Sequence, residues 1–208
     1  MGHPLRWLGL VLLAAAPLAG MGNYPLHLLI MTLLWAFVYT GWAVMGRLGM
    51  VSLGHGAFLG IGAYVVVMGW NHYGLSPWLG IPLALAVTAA VAVVIGYPCF
   101  RFKIVGHYFA LVTLALSEVA RLIIVALRDQ TGGSLGVTPV TALADTSWSL
   151  TAMQFSSKLV WFYIIFAFWL GGLWIWSRVD RSMARLALEA ISQEEEAAAS
   201  VGMNITRL

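Results

Sequence analysis

Long apolar stretches dominate this chain, and their length decides what it can fold into. The hydrocarbon core of a bilayer is about 30 Å thick, so roughly 20 residues of helix are needed to span it. Charged residues make up only 9% of the 208 residues, whereas hydrophobic residues make up 61%. Six stretches are long enough, at residues 5–21, 26–45, 50–70, 78–100, 107–127 and 159–177. We therefore predict an all-α, polytopic helical membrane protein with about six transmembrane helices.

The composition also argues against several classes of function. The net charge of +3 is dispersed and no run of five Lys or Arg residues occurs, so we expect membrane lipid rather than nucleic acid as a partner. The single cysteine, Cys99, has no second thiol for a disulfide or a metal site.

Arg6 precedes an apolar run, as in a secretory signal peptide, but Pro17 to Ala19 form a poor cleavage region. We expect residues 1–22 to be retained.

The basic residues predict the orientation, because cytoplasmic loops of membrane proteins retain the positive charges. With a cytoplasmic N-terminus, 8 of the 11 basic residues lie inside: Arg6, Arg47, Arg101, Lys103, Arg178, Arg181, Arg185 and Arg207. Arg128 and Lys158 lie outside, and Arg121 lies within a span. The tail is therefore predicted to be cytoplasmic, and residues 128–158 are predicted to form an outer loop with the composition of a solvated connector.

Small and polar residues cluster in the third predicted span. Ser52, Gly56 and Gly60 recur every four residues, and such a stripe commonly lets another helix approach closely. The alternative is a helix interrupted at residues 52–56, which would expose backbone groups toward a substrate cavity. In that case His55 would be a polar contact, and both interpretations stay open.

Two ionisable residues, Glu118 and Arg121, lie inside the fifth predicted span. A lone charge at mid-bilayer costs about 2.5 to 3.5 kcal/mol on insertion scales, so something must offset it. Together with Thr113 and Ser117 they occupy an arc of about 140° on the helix. They either neutralise each other and tie this helix to its neighbours, or they border a translocation path.

A change in composition marks the tail segment. From Arg181 onward the sequence is rich in Ala, Glu, Ser and Arg, with apolar residues at helical spacing. We predict an amphipathic cytoplasmic helix, with a coupling segment over residues 181–205 that ends near Gly202. A helix that is small on one side and acidic on the other suits a groove on a cytosolic partner.

Three runs of sequence resemble a known family. They are residues 47–64 (RLGMVSLGHGAFLGIGAY), residues 106–115 (GHYFALVTLA) with the downstream Glu118, Arg121 and residues 131–133 (TGG), and residues 190–202 (AISQEEEAAASVG). They are similar to signatures of the branched-chain amino acid ABC transporter permeases of the LivM type. The resemblance implies a single permease transmembrane domain over residues 1–208 that functions as a transport subunit and not as an enzyme.

The resemblance also implies partners and site residues. The partners would be a second permease subunit, two ATP-binding cassette subunits and a periplasmic solute-binding protein, in the bacterial inner membrane. This chain would bind no cofactor or metal and carry no catalytic residue, because the cassette subunits would use the ATP. The implied substrate pathway comprises Ser52, His55, Tyr108, Thr113, Ser117, Glu118 and Arg121. The implied ATPase-coupling residues are Glu194, Glu195, Glu196, Ala197, Ala198 and Gly202.

Members of that family normally continue with further spans after the coupling segment, so we expect this chain to be a fragment of a longer permease. A permease of the same architecture for urea or short amides, or an ion-coupled secondary transporter, stays open. A membrane enzyme using His55, His72 or His107 with Glu118 is disfavoured, because these histidines lack metal-ligand spacing and have no paired carboxylates nearby.

Overall fold

The computed structural model describes residues 3–46, 51–102, 104, 106–142 and 148–182. The α-helices in this part of the chain are α1 His3–Ala15, α2 Asn23–Gly46, α3 His55–Tyr73, α4 Pro77–Arg101, α5 Gly106–Ala126, α6 Arg128–Thr131 and α7 Lys158–Asp180. Two short strands, β1 Trp148–Ser149 and β2 Gln154–Phe155, pair in a two-stranded sheet. Beyond Ser182 the predicted coupling segment lies outside the described residues, and so do Glu194, Glu195, Glu196, Ala197, Ala198 and Gly202.

Four of these helices, α2, α4, α5 and α7, are long and apolar enough to cross a membrane. Their bounds agree with the second, fourth, fifth and sixth predicted spans to within a few residues. Few of their side chains are buried within the described part of the chain, as expected for helices whose solvent is lipid. The predicted class, a polytopic helical membrane protein, is confirmed.

The first and third predicted spans differ from the structure. α1 ends at Ala15 and is followed by a 3-10 helix that contains Pro17, because proline cannot continue the α-helical hydrogen bonding. Gly20, with a φ of 73°, then turns the chain. α3 begins at His55 instead of residue 50, and polar residues at its two ends keep it outside the group of four strongly apolar helices.

The chain divides into two compact units, and the first comprises Met1–Val44 and Phe155–Leu208. Its described core lies between α2 and α7, where Leu26, Leu33, Phe162 and Phe166 are buried. Phe162 is completely buried and stacks on Phe166, one turn further along α7, with 5.9 Å between the ring centroids. This aromatic pair lets α7 present one continuous apolar surface to α2.

Within this unit, α2 and α7 run in the same direction. At their beginnings, the Nζ of Lys158 donates a hydrogen bond to the carbonyl oxygen of Asn23 at 3.3 Å. Further along, the ring of Phe37 lies so close to Gly172 that a Cβ there would come within 2.9 Å of it. The start of α7 therefore contacts the start of α2, and the middle of α7 contacts the middle of α2, as in parallel helices.

The second unit, Met45–Gln154, is built on a hairpin of α3 and α4. Gly74, with a φ of 61°, ends α3 in the left-handed conformation common at helix C-termini. The two helices approach closely at glycines. A Cβ at Gly80 would lie 3.5 Å from the side chain of Val66, and a Cβ at Gly62 would lie 3.5 Å from the Thr88 hydroxyl.

The predicted packing stripe of Ser52, Gly56 and Gly60 is wrong. Ser52 precedes α3, so it shares no helical face with the two glycines. Within the described part of the chain, nothing lies within 4 Å of a Cβ built on Gly56 or Gly60. The closely packed small residue of this region is instead Gly54, which lies just before α3.

Candidate functional site

The segment that precedes α3 crosses α5 with its backbone in direct contact with that helix. We call Val51 to Gly54, together with the part of α5 around Thr113, the crossover. The backbone N–H of Leu53 donates to the Thr113 hydroxyl at 3.0 Å, and that hydroxyl donates to the carbonyl of Ala110 at 2.9 Å. Ser52 and Thr113 are each only 3% exposed. A non-helical peptide is therefore packed against a helix in the middle of the unit.

Gly54 makes this close approach possible. A Cβ at this position would overlap the carbonyl oxygen of Thr113 and would lie 3.1 Å from the Thr113 Cβ. The φ of Gly54 is −96°, which any residue can adopt, so the requirement is space and not backbone conformation. The Gly54 carbonyl then accepts from the Ala57 N–H at 3.0 Å, and α3 begins.

Of the two interpretations of the glycine-rich run, the interrupted helix agrees with this geometry. Leu53 and Gly54 contact Thr113 here, Ser52 precedes them in sequence, and His55 follows them, half-buried in the first turn of α3. Polar groups and non-helical backbone occur together here, and in a membrane such backbone must be buried in protein or line a cavity. The crossover can therefore present polar groups inside an otherwise apolar structure.

Glu118 and Arg121 form a bidentate ion pair on α5. The Nε of Arg121 lies 2.9 Å from one carboxylate oxygen of Glu118, and a terminal guanidinium nitrogen lies 2.5 Å from the other. Both side chains are more than half exposed, at 60% for Arg121 and 55% for Glu118. The predicted mutual neutralisation is confirmed, whereas no bond from this pair to another helix is found among the described residues.

The other predicted residues of α5 differ in how exposed they are. The hydroxyl of Ser117 is half-buried and donates back to the Leu114 carbonyl at 2.7 Å. Tyr108 is 75% exposed, and on a regular helix it lies about 140° around the axis from Thr113. The structure thus places Ser52 and His55 on either side of the Leu53–Gly54 peptide that contacts Thr113, and it leaves Tyr108 and the ion pair exposed on the described chain.

The loop between α5 and α7 was predicted to be a solvated connector, and its first part is instead compact. Thr131 is only 5% exposed, and its hydroxyl lies 2.6 Å from the Ile124 carbonyl and 3.0 Å from the Leu127 carbonyl. The same hydroxyl accepts from the Gly133 N–H at 3.1 Å. Tyr64 of α3 donates to the Thr131 carbonyl at 3.4 Å. Thr131 therefore caps the end of α5 and joins it to α3.

Glycines make this compact turn possible. Gly132, Gly133 and Gly136 have φ values of 72°, 59° and 72°, in the left-handed region that other residues avoid. A Cβ on Gly132 would also overlap the carbonyl of Gly136. The Thr-Gly-Gly signature of the sequence is therefore explained by backbone geometry.

The later part of the loop is held by side-chain amides. Asn71, near the end of α3, donates from Nδ2 to the Thr138 carbonyl at 2.9 Å and accepts from the Val140 N–H at 2.8 Å. Gln154, in β2, donates to the Val140 carbonyl at 2.9 Å and accepts from the Ala142 N–H at 2.8 Å. These contacts join residues that are 12 to 69 positions apart, and no local sequence pattern predicts them.

The fold and its apolar helices define a multi-pass helical membrane protein. Residues 24–208 match the family described as branched-chain amino acid transport system, permease component, and the chain belongs to that family.

Two curated relatives are similar over most of this chain. They are the high-affinity branched-chain amino acid transport system permease proteins LivM of Salmonella typhimurium strain LT2 and of Escherichia coli strain K12. Each is 28% identical over 183 residues, which cover 79% of this chain and 43% of the relative. The chain therefore spans less than half the length of these relatives. No solved structure matches it significantly.

Proposed function

We propose that this chain is a permease subunit of an ATP-driven importer for branched-chain or related small amino acids in the bacterial inner membrane. Its membership of the permease family over residues 24–208 carries this proposal. The chain would work with a second permease subunit, two ATP-binding cassette subunits and a periplasmic solute-binding protein. The cassette subunits would bind and hydrolyse ATP, so this chain would need no cofactor of its own.

The proposed solute path passes the crossover. Ser52, His55 and Thr113 lie at or beside it, with Ser52 and Thr113 buried in the described chain, and transporters commonly bind solutes where a membrane helix is interrupted. The side chains of Val51 and Leu53, which flank Ser52, are 46% and 51% exposed. They offer apolar surface to a branched aliphatic side chain, and the half-buried His55 offers a polar group to the ionised ends of an amino acid.

The remaining predicted path residues would complete the wall in the assembled transporter. Glu118 and Arg121 are exposed on α5, and an ion pair in a span avoids lipid in favour of protein or water. Ser117 lies between this pair and Thr113 around the helix. We therefore propose that the surface containing Ser117, Glu118 and Arg121, with Tyr108 near the start of α5, faces the path or a neighbouring subunit.

Coupling to ATP would occur through the tail. The positive-charge distribution supports a cytoplasmic tail segment, and its acidic helix, with Glu194, Glu195 and Glu196 followed by Ala197, Ala198 and Gly202, would enter a groove on a cassette subunit. Closure of the cassette subunits would then push on this helix. The spans would respond by exposing the path to the opposite side of the membrane.

The test uses the native complex, captured through a tag on this chain and reconstituted in proteoliposomes with the binding protein. We expect uptake of labelled leucine that requires ATP and is not reduced by excess urea. Substitution of Glu196 and Gly202 together should remove the cassette subunits from the captured complex. Uptake that is driven by an ion gradient without ATP, or that urea competes away, would contradict the proposal.

A further inference from the structure

Residues 138–142 of the long loop are ordered without being buried. All five are exposed, and Val140 has 61% of its surface accessible. The backbone is nevertheless bonded by side chains from two distant parts of the unit, the end of α3 and strand β2. We call residues 138–142 the platform, and Asn71 with Gln154 the amide clamp.

The amide clamp binds the platform in the way that a neighbouring strand would. Asn71 pairs with the carbonyl of Thr138 and the N–H of Val140. Gln154 pairs with the carbonyl of Val140 and the N–H of Ala142. Each amide offers one donor and one acceptor in a plane, and each spans alternate residues, as the partners in a strand ladder do.

A third side chain strengthens the same contact. The indole N–H of Trp70, beside Asn71 on α3, donates to the Val140 carbonyl at 2.9 Å. That carbonyl therefore accepts from both Trp70 and Gln154, which uses its two lone pairs. The next segment is tied to the same end of the hairpin, because Trp78 donates to the Leu150 carbonyl at 2.8 Å.

This ordering adds no side chain to the apolar core, because the platform residues are all exposed. An exposed segment that is already fixed in one conformation loses less entropy when a partner binds it. A clamp that fixes an exposed segment in this way suits recognition by a partner. Under the predicted topology the platform lies on the side of the membrane opposite to the coupling segment.

We propose that Asn71 and Gln154 are positioning residues that hold the platform for contact with the solute-binding protein. The inference rests on the proposed function, because it requires an importer that such a protein feeds. Neither residue is proposed to touch the transported solute. Their effect is on how readily the binding protein docks.

The first measurement is amide hydrogen exchange on the purified complex. Asn71→Leu removes the acceptor for the Val140 N–H, and Gln154→Leu removes the acceptor for the Ala142 N–H. We expect each change to speed exchange at its own amide by about tenfold, which is the effect of losing one neutral hydrogen bond. His72→Ala, at an exposed neighbour of Asn71, is the control and should leave both amides unchanged.

The second measurement is the dependence of leucine uptake on the concentration of the binding protein. Asn71→Leu should raise the half-saturating concentration by about tenfold and leave the maximal rate and the basal ATPase activity near wild type. Asn71→Gln, which keeps both amide groups, should recover part of the loss. The His72→Ala control should behave as the wild type.

The outcomes separate the two proposals. Unchanged exchange in the Leu variants would overturn the clamp itself. If exchange becomes faster but the half-saturating concentration of the binding protein does not change, the clamp stabilises only the loop. That result would overturn the positioning role. A wild-type complex with the expected exchange pattern but no ATP-dependent uptake would instead refute the proposed function.

Discussion

Gly54→Ala tests the crossover most directly. Alanine suits the backbone conformation at this position, since φ is −96°, so the added methyl group acts only through its volume. The methyl would overlap the Thr113 carbonyl, and this neighbour is helical backbone that cannot rotate away. Overpacking of this kind costs about 1 to 3 kcal/mol.

Two further contributions modify that value. Separation of the two backbones would also break the hydrogen bond from the Leu53 N–H to Thr113, which contributes about 1 kcal/mol. The lower entropy of an unfolded chain with alanine returns about 0.4 to 1 kcal/mol. We therefore expect Gly54→Ala to lower the free energy of unfolding by about 1 to 3 kcal/mol and to reduce leucine uptake strongly.

The assay compares unfolding of the purified variants by SDS titration in mixed micelles with uptake in proteoliposomes. Gly60→Ala is the matched control, because a Cβ there has open space within the described chain and helix propensity favours alanine by about 0.5 to 1 kcal/mol. A Gly54→Ala variant that unfolds and transports as the wild type does would refute the reasoning. A Gly60→Ala variant that loses as much stability would show that glycine content, and not the crossover, is responsible.

Three other substitutions follow from the same geometry. Thr113→Val should lower the free energy of unfolding by about 1 to 3 kcal/mol because the part-buried Leu53 N–H loses its acceptor at the buried Thr113, whereas Thr113→Ser should retain most of the stability in the same SDS titration. Gly132→Ala should destabilise by about 1 to 3 kcal/mol, since its φ of 72° disfavours a side chain, and limited proteolysis should show faster cleavage of the loop. Glu118→Gln should reduce the amount of assembled protein in the membrane, because it leaves Arg121 unpaired in an apolar helix at a cost of about 2.5 to 3.5 kcal/mol. The double change to Gln at both positions should restore the amount, and uptake by that double variant then decides whether the pair serves assembly alone or the solute path.

The spans and the ion pair were predictable because they depend on local properties. The length of the apolar stretches, compared with the thickness of the bilayer, predicted α2, α4, α5 and α7. The three-residue spacing of Glu118 and Arg121 on a helix predicted that their side chains would meet. Both arguments need only the residues of one helix. No tertiary contact changes either result.

The start of α3 was not predictable in the same way. The Ser-Leu-Gly-His-Gly run fits both a close-packed helix and an interrupted one, and the difference depends on whether Thr113 lies opposite Gly54. That contact joins residues 60 positions apart in sequence. The platform escaped prediction for the same reason, because its backbone partners are side chains such as Asn71, 69 positions from Val140.

The hydropathy of α3 leaves open whether this helix crosses the membrane, and the packing of α7 on α2 bears on that question. α3 is 19 residues long but is less apolar than α2, α4, α5 and α7, because its ends carry residues such as His55 and Asn71. If only α4 and α5 crossed the membrane between α2 and α7, the chain would return to the side where α2 ends, and α7 would run opposite to α2. The bond from Lys158 to the start of α2 requires the same direction instead. We therefore expect an odd number of crossings between α2 and α7, and α3 is the remaining long helix of this region that could supply the third.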